Sequence, residues 1–266
     1  MLSALVLLPV VIGTIWFAPP EGTFVLALLA GVLAFVEYRQ LARALGITVF
    51  AGIGGAAVAI VCLATWLADR GMFANWTYLV LAAAMVVVVG AAAVARGGPS
   101  PSVLADVAAT VFGALYLGLP LGLLAALRIN GQGDGRLVLL LLLVTVVVSD
   151  SAQYYTGRAF GRKQLSPAIS PKKTVEGAIG GVLFGTLAMT LGGRYLFSAP
   201  PWTLVLLGTA ISLLGIVGDL FESLLKRSAG VKDSSNLIPG HGGVLDRLDS
   251  WLFAAPVYYV FVRFVA

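Results

Sequence analysis

The stretch LVLLLLLVTVVVSD, residues 137–150, decides the fold. It carries no charge until its last residue, Asp150. It also lacks the period-two alternation of a membrane β-strand, so it reads as a helix. Extended to about residue 156, it has the roughly 20 residues that an apolar helix needs to cross a bilayer. The rest of the chain follows the same pattern. Of 266 residues, 59% are hydrophobic and 11% charged, with 32 glycines besides. An average soluble domain has about 25% charged residues. So few charges cannot cover a soluble globule, which excludes an ordinary soluble domain and a disordered chain. A polytopic membrane protein remains.

Nine candidate spans are readable, at about 2–18, 23–41, 46–68, 75–95, 103–127, 137–156, 177–197, 201–225 and 250–265. The fold class is all-α: an integral membrane bundle of about nine transmembrane helices in a single domain, 1–266. Residues 1–136 supply helices one to five. Residues 137–266 supply helices six to nine, with long loops at 157–176 and 226–249. Breaks between spans carry turn punctuation, such as Pro19-Pro20-Glu21-Gly22 and Gly97-Gly98-Pro99. The first span has neither a basic n-region nor an A-x-A cleavage site, so it is kept as a helix. Loops after even-numbered helices, with the adjoining helix ends, hold 12 of the 17 Lys and Arg residues. That bias makes those loops cytoplasmic, including both long ones.

Several chemistries drop out early. The chain has one cysteine, Cys62, and one histidine, His241. No intrachain disulfide, Cys-based zinc site or two-histidine mechanism is available. Gly52-Ile53-Gly54-Gly55-Ala56-Ala57 superficially suits a nucleotide-binding turn, but no strand precedes it. Helix packing through small residues is the better reading.

Charge concentrates in the second half. Asp219, Glu222, Ser223 and Lys226 stand at i, i+3, i+4 and i+7, on one face of the eighth helix. An aspartate at mid-bilayer costs roughly 2.5–3.5 kcal/mol, so it pairs with something. The plain alternative is an Asp219–Lys226 ion pair; two carboxylates on that face argue for a bound cation. The following loop runs through Arg227, Lys232, Asp233, Pro239-Gly240-His241-Gly242-Gly243, Asp246, Arg247 and Asp249. Glycines let backbone amides approach an anion, and Lys and Arg neutralise phosphate. Asp246 and Asp249, three apart at the start of the ninth helix, offer the hard oxygens that suit Mg²⁺. In the other long loop, Gly157 to Lys163 fails as a P-loop: the spacing is one residue short and no Ser or Thr follows Lys163. Ser170-Pro171 reads as an N-cap and first-turn pair for the seventh helix. Lys172 and Lys173 would then lie in its first turn, as an anion site or a positive-inside anchor. These residues describe a membrane enzyme or transporter that handles a phosphorylated ligand with a divalent metal.

From Ser223 to Asp249 the sequence resembles the phosphatidate cytidylyltransferase family, the CDP-diacylglycerol synthases. The pattern S-x2-K-R-x4-K-D-x-S-x2-I-P-x-H-G-G-x2-D-R-x-D is filled at every fixed position. Asp150 to Gly161 and Ser170 to Gly177 are similar to the family's D-x3-Y-x2-G-x3-G and S-P-K-K-T-x-E-G elements. In the first 136 residues only helix number and Glu37-Tyr38 match. Gln153 stands where the family usually has a small residue. The resemblance implies the reaction of CTP with phosphatidate to give CDP-diacylglycerol and pyrophosphate, in phospholipid biosynthesis, with Mg²⁺ as cofactor. It implies Asp219 and Asp246 as first metal ligands, Asp249 next, and Asp150 and Glu222 in support. Asp219, Asp246, Lys226 and Arg247 would be the catalytic set. Ser223, Arg227, Lys232, Lys172 and Lys173 would bind the triphosphate or lipid headgroup. Gly242 and Gly243 would offer amides, and His241 would be a phosphate donor or a packed turn residue. CTP, phosphatidate and the bilayer are the expected partners; nucleic acid is not, and a homodimer is left open. The expected setting is a bacterial cytoplasmic membrane with the site on its inner face. Two rivals stand beside this reading: a CTP-dependent transferase or kinase acting on an isoprenoid lipid, and a secondary transporter with intramembrane carboxylates.

Overall fold

The computed structural model describes residues 2–72, 77–129, 134–235, 237, 238, 240 and 242–266, with the side chains of 2–7, 77 and 78 outside the description. Among the described residues there are nine helices: α1 (Leu2–Phe17), α2 (Pro20–Ala44), α3 (Ala51–Asp69), α4 (Thr77–Ala95), α5 (Val103–Leu127), α6 (Gly135–Phe160), α7 (Val175–Leu196), α8 (Pro201–Ser228) and α9 (Leu245–Phe264). Six of them, α2, α3, α5, α6, α7 and α8, are long and apolar enough to cross a membrane; α1 and α4 hold shorter apolar stretches. The expected nine helices are therefore present, while six meet the spanning criterion. The ninth carries Asp246, Arg247, Asp249 and Arg263 within 20 residues, which lowers its hydropathy.

Two compact units make up the chain. The first comprises Met1–Ile129 with Ser228–Arg247, and the second Asn130–Arg227 with Leu248–Ala266. The loop after α8 thus clusters with the N-terminal helices.

In the first unit, α2, α3 and α5 form the core. Their contacts depend on missing side chains. A Cβ at Gly118 would sit 2.7 Å from the Val58 carbonyl, and one at Gly122 would sit 2.8 Å from that of Cys62. Close backbone approach of this kind maximises dispersion where lipid gives no hydrophobic drive between helices. The small-residue run near residue 54 serves the same end: α3 begins there, and the Phe35 ring occupies the space a Cβ on Gly54 would take.

In the second unit, α6 and α7 pack along their glycines. A Cβ on Gly177 would lie 2.7 Å from the Gln153 carbonyl and 3.1 Å from the Gly157 Cα. On α8, Gly208 gives the same clearance to Thr186 of α7, and Gly218 to the Asp249 carbonyl of α9. Tyr258 is fully buried, and its hydroxyl donates to the Val138 carbonyl at 2.8 Å. Large apolar side chains such as Leu104, Val94, Leu183 and Leu206 are exposed, as a lipid surround allows.

One expectation about the 157–176 loop fails. Ser170–Thr174 is a strand, β2, paired antiparallel with β1 (Gln164–Ser166), so Lys172 and Lys173 lie on a hairpin and not in a helix turn. The cap of α7 lies four residues later than the Ser170-Pro171 reading placed it. Its N-cap is Thr174, extended at φ −120°, whose hydroxyl accepts from the Gly177 N–H at 3.1 Å. The physical reason lies in the partners. The residues after Pro171 find a strand to pair with, and Glu176 closes the hairpin by accepting from the Arg162 N–H at 3.0 Å and the Lys163 N–H at 3.2 Å. The bundle is otherwise helical, as expected.

Candidate active site

In the second unit Lys173 and Asp219 form an ion pair, and Asp249 and Asp150 lie within electrostatic range of it. Asp219 comes from α8, Asp150 from α6 and Asp249 from α9, and Lys173 comes from β2. Asp249 feels the repulsion of Asp219 and Asp150 and the attraction of Lys173. Lys173 is ion-paired with Asp219, and the Ser223 hydroxyl donates to Asp219 Oδ1 at 3.4 Å. Asp219 and Asp249 are half-buried, whereas Asp150 is exposed. Three hard oxygen donors against one fixed positive charge leave the cluster with net negative charge. A divalent cation of the Mg²⁺ type usually takes one or two carboxylates and completes its shell with water and phosphate. Among the described residues no three His, Cys, Asp or Glu side chains stand together in a group that could hold a metal ion.

The α8 face is in the expected register, and the plain alternative of an Asp219–Lys226 pair gives way to other partners. Lys226 pairs with Glu222, 3.0 Å away. Glu222 is fully buried and Lys226 is 9% exposed, so the pair is shielded from solvent. Asp219 is left to face β2. Arg227 Nε donates to the Ile169 carbonyl at 3.4 Å, which ties the end of α8 to the hairpin. Lys172 is exposed.

The first unit holds the Gly-rich loop, and there the geometry departs from expectation. Asp246 Oδ2 accepts three hydrogen bonds, from the Ser234 N–H (2.9 Å), the Ser234 hydroxyl (2.7 Å) and the Gly243 N–H (2.7 Å). The Gly243 amide, expected to face an anion, is therefore committed to Asp246. Gly243 is glycine because a Cβ there would collide with Ser234 Oγ and the Glu37 carboxylate. Gly242 has φ +75°, in the left-handed region, and a Cβ on it would stand 2.5 Å from Asp246 Oδ2. The turn is closed by the Ile238 N–H donating to the Gly242 carbonyl at 2.8 Å. Lys232 and Arg247 are exposed. His241 lies outside the described residues.

Sequence reasoning noted Glu37 only for its place at the end of the second helix, and it passed over Ser234, a variable position of the pattern. In the structure Glu37 is 3% exposed and Ser234 5% exposed, and both are bonded within this loop. The available signal was an acidic residue in an apolar helix, which has to find donors.

The chain is 49% identical over 130 residues to a phosphatidate cytidylyltransferase of Synechocystis sp. (strain ATCC 27184 / PCC 6803 / Kazusa), covering 48% of this chain and 44% of that protein. It is 47% identical over 124 residues to one of Aquifex aeolicus (strain VF5), covering 46% of each. An uncharacterized protein of Escherichia coli (strain K12), YnbB, is 44% identical over 135 residues, covering 51% of this chain and 45% of that protein. The chain spans about half the length of the curated relatives it matches. A model of the cytidylyltransferase family matches residues 1–265. The chain belongs to the cytidylyltransferase family.

Proposed function

We propose that this membrane protein is a phosphatidate cytidylyltransferase, joining CTP and phosphatidate into CDP-diacylglycerol and pyrophosphate. The observation that carries the reading is the cluster of Asp150, Asp219, Asp249 and Lys173, supplied by the same segments whose sequence resembles the family's motifs. Relatives bearing that name support the substrate assignment.

The chemistry asks little of the protein in covalent terms. A phosphate oxygen of phosphatidate bonds to the α-phosphorus of CTP. The bond from that phosphorus to the β-phosphate bridging oxygen breaks, and pyrophosphate leaves with the electron pair. The nucleophile is already anionic, so no strong base or protein nucleophile is required, and a chain with one histidine and one cysteine suffices. The difficulty is bringing anions together. Positioning and charge neutralisation therefore dominate. Asp219 and Asp249, with Asp150 in support, would hold Mg²⁺, which when bound supplies positive charge to the nucleotide phosphates and the leaving group. Lys173 sits beside these carboxylates and would turn to a phosphate oxygen when substrate arrives. The exposed Lys172, Lys232 and Arg247, together with Arg227, would neutralise the remaining phosphate charge. Asp246, which organises the Gly-rich loop, contributes order there. The Lys and Arg bias of the loops supports a reaction on the cytoplasmic side of a bacterial membrane, with phosphatidate supplied from the bilayer.

The test is direct. Purified protein in detergent or nanodiscs is given labelled CTP, phosphatidate and Mg²⁺, and CDP-lipid is resolved from CTP. A panel of acceptor lipids includes polyprenol and isoprenoid phosphates. Product from phosphatidate alone supports the reading; product only from an isoprenoid acceptor, or none, rejects it.

A further inference from the structure

Glu37 lies in α2, far from the motifs in sequence, and its carboxylate is buried at 3% exposure. Four hydrogen bonds reach it. Oε1 accepts from the Ser235 hydroxyl at 2.7 Å and the Val244 N–H at 2.9 Å. Oε2 accepts from the Ser234 hydroxyl at 3.0 Å and the Leu245 N–H at 2.7 Å. All four donors belong to the Gly-rich loop or the first residue of α9. Among the described residues no Lys or Arg pairs with Glu37. A buried carboxylate without a counter-cation has to be compensated by donors, and here two of them are amides at a helix N-terminus, the end that favours negative charge.

The arrangement is mutual. The Ser234 hydroxyl, with one proton to give, lies between Glu37 and Asp246 and bridges the two carboxylates. Gly243 leaves room for Glu37, since a Cβ at that position would strike its carboxylate. A carboxylate that only stabilised α2 would spend its acceptors on α2 or on neighbouring helices. This one spends all of its described hydrogen bonds on the loop.

We infer that Glu37 is a positioning residue for the reaction, holding Ser234, Ser235, Val244 and Leu245 in the conformation from which Asp246 and Arg247 are presented. The inference rests on the proposed cytidylyltransferase activity for its kinetic consequence and on geometry alone for the loop contact. It also gives the N-terminal helices a part in catalysis: they carry the clamp that shapes a motif near the other end of the chain.

Glu37→Gln is the informative substitution. The amide has one acceptor oxygen and one NH₂ group. Whichever way it turns, the NH₂ faces either the Val244 or the Leu245 N–H, and a backbone amide cannot reverse its polarity. Ser235→Ala removes one bond without touching α2 and is expected to act in the same direction more weakly. Two readouts are taken on each variant: steady-state kinetics with CTP and phosphatidate, and amide hydrogen exchange along the chain in the substrate-free protein.

The expected result for Glu37→Gln is a fall in kcat of tenfold or more, with faster exchange confined to about 234–245 and unchanged protection in α2, α3 and α5. Restoration of part of kcat by Glu37→Asp, which keeps four acceptor lone-pair sites, supports the same conclusion. Retained kcat with retained loop protection overturns the inference. So does loss of protection spread evenly over α2, α3 and α5, which would make Glu37 a packing residue. If the unsubstituted protein makes no CDP-lipid, the functional proposal fails, while the exchange data still judge the clamp.

Discussion

Gly243→Ala tests whether the glycine exists to admit a carboxylate. Gly243 has no left-handed backbone, so alanine adds a steric load with no conformational strain. Its Cβ would overlap Ser234 Oγ and Glu37 Oε2 and stand 2.5 Å from Glu37 Cδ, where ordinary contact begins near 3.4 Å. The Glu37 carboxylate would have to retreat by about 1 Å, which takes bonds now at 2.7–3.0 Å past useful hydrogen-bonding length. Two bonds to Oε2 are lost, and the Leu245 amide is left without its acceptor. At about 1 kcal/mol for the Ser234 bond and about 1–3 kcal/mol for the orphaned Leu245 donor, local stability falls on the order of 2–4 kcal/mol. That corresponds to roughly 30- to 700-fold faster exchange at Leu245, since about 1.4 kcal/mol is tenfold. Hydrogen exchange with mass spectrometry on the substrate-free protein reads this directly. Gly90→Ala is the control, because a Cβ there meets nothing within 4 Å and α4 gains helix propensity. Wild-type exchange at Leu245 in Gly243→Ala, with only a raised KM for CTP, would refute the steric account. It would restore the glycine as an anion cradle.

Three further outcomes are expected. Asp219→Asn abolishes CDP-lipid formation and leaves the melting temperature near that of the parent; near-normal turnover would remove Asp219 from the cation site. Lys226→Met takes the partner from fully buried Glu222 and lowers stability by about 3–5 kcal/mol in detergent unfolding, because a buried charge loses its counterpart. Thr174→Val deletes the α7 cap but keeps its shape, costing about 1 kcal/mol and loosening exchange at Gly177, with α6 unaffected.

The parts of this molecule that are legible in sequence are those set by local pattern. Apolar run length located the helices, and a spacing of three and four put Asp219 and Ser223 within reach of each other. What escaped depends on partners distant in sequence. Asp219 pairs with Lys173 of β2, a partner that spacing along α8 cannot reveal. Ser170-Pro171 has the composition of a helix start, and only the pairing of 164–166 with 170–174 makes it a strand. Gly243 was read as an anion cradle because glycine clearance is the same whatever fills it. The occupant, Glu37, comes from an otherwise apolar helix.

The bonds from Glu37 to Ser234 and Leu245 close loops of 197 and 208 residues. Chain synthesis runs from the N-terminus, so the acceptor is made and inserted long before its donors exist. During that interval a bare carboxylate waits in an apolar helix. The loop can take its final form only once Leu245 is made, 208 residues after Glu37, which makes this docking a late contact relative to the insertion of α2. A fragment that starts at α6 would carry every residue of the signature and still lack the surface on which the signature loop is shaped. The segment from Ser234 to Leu245 and helix α2 therefore assemble as one object.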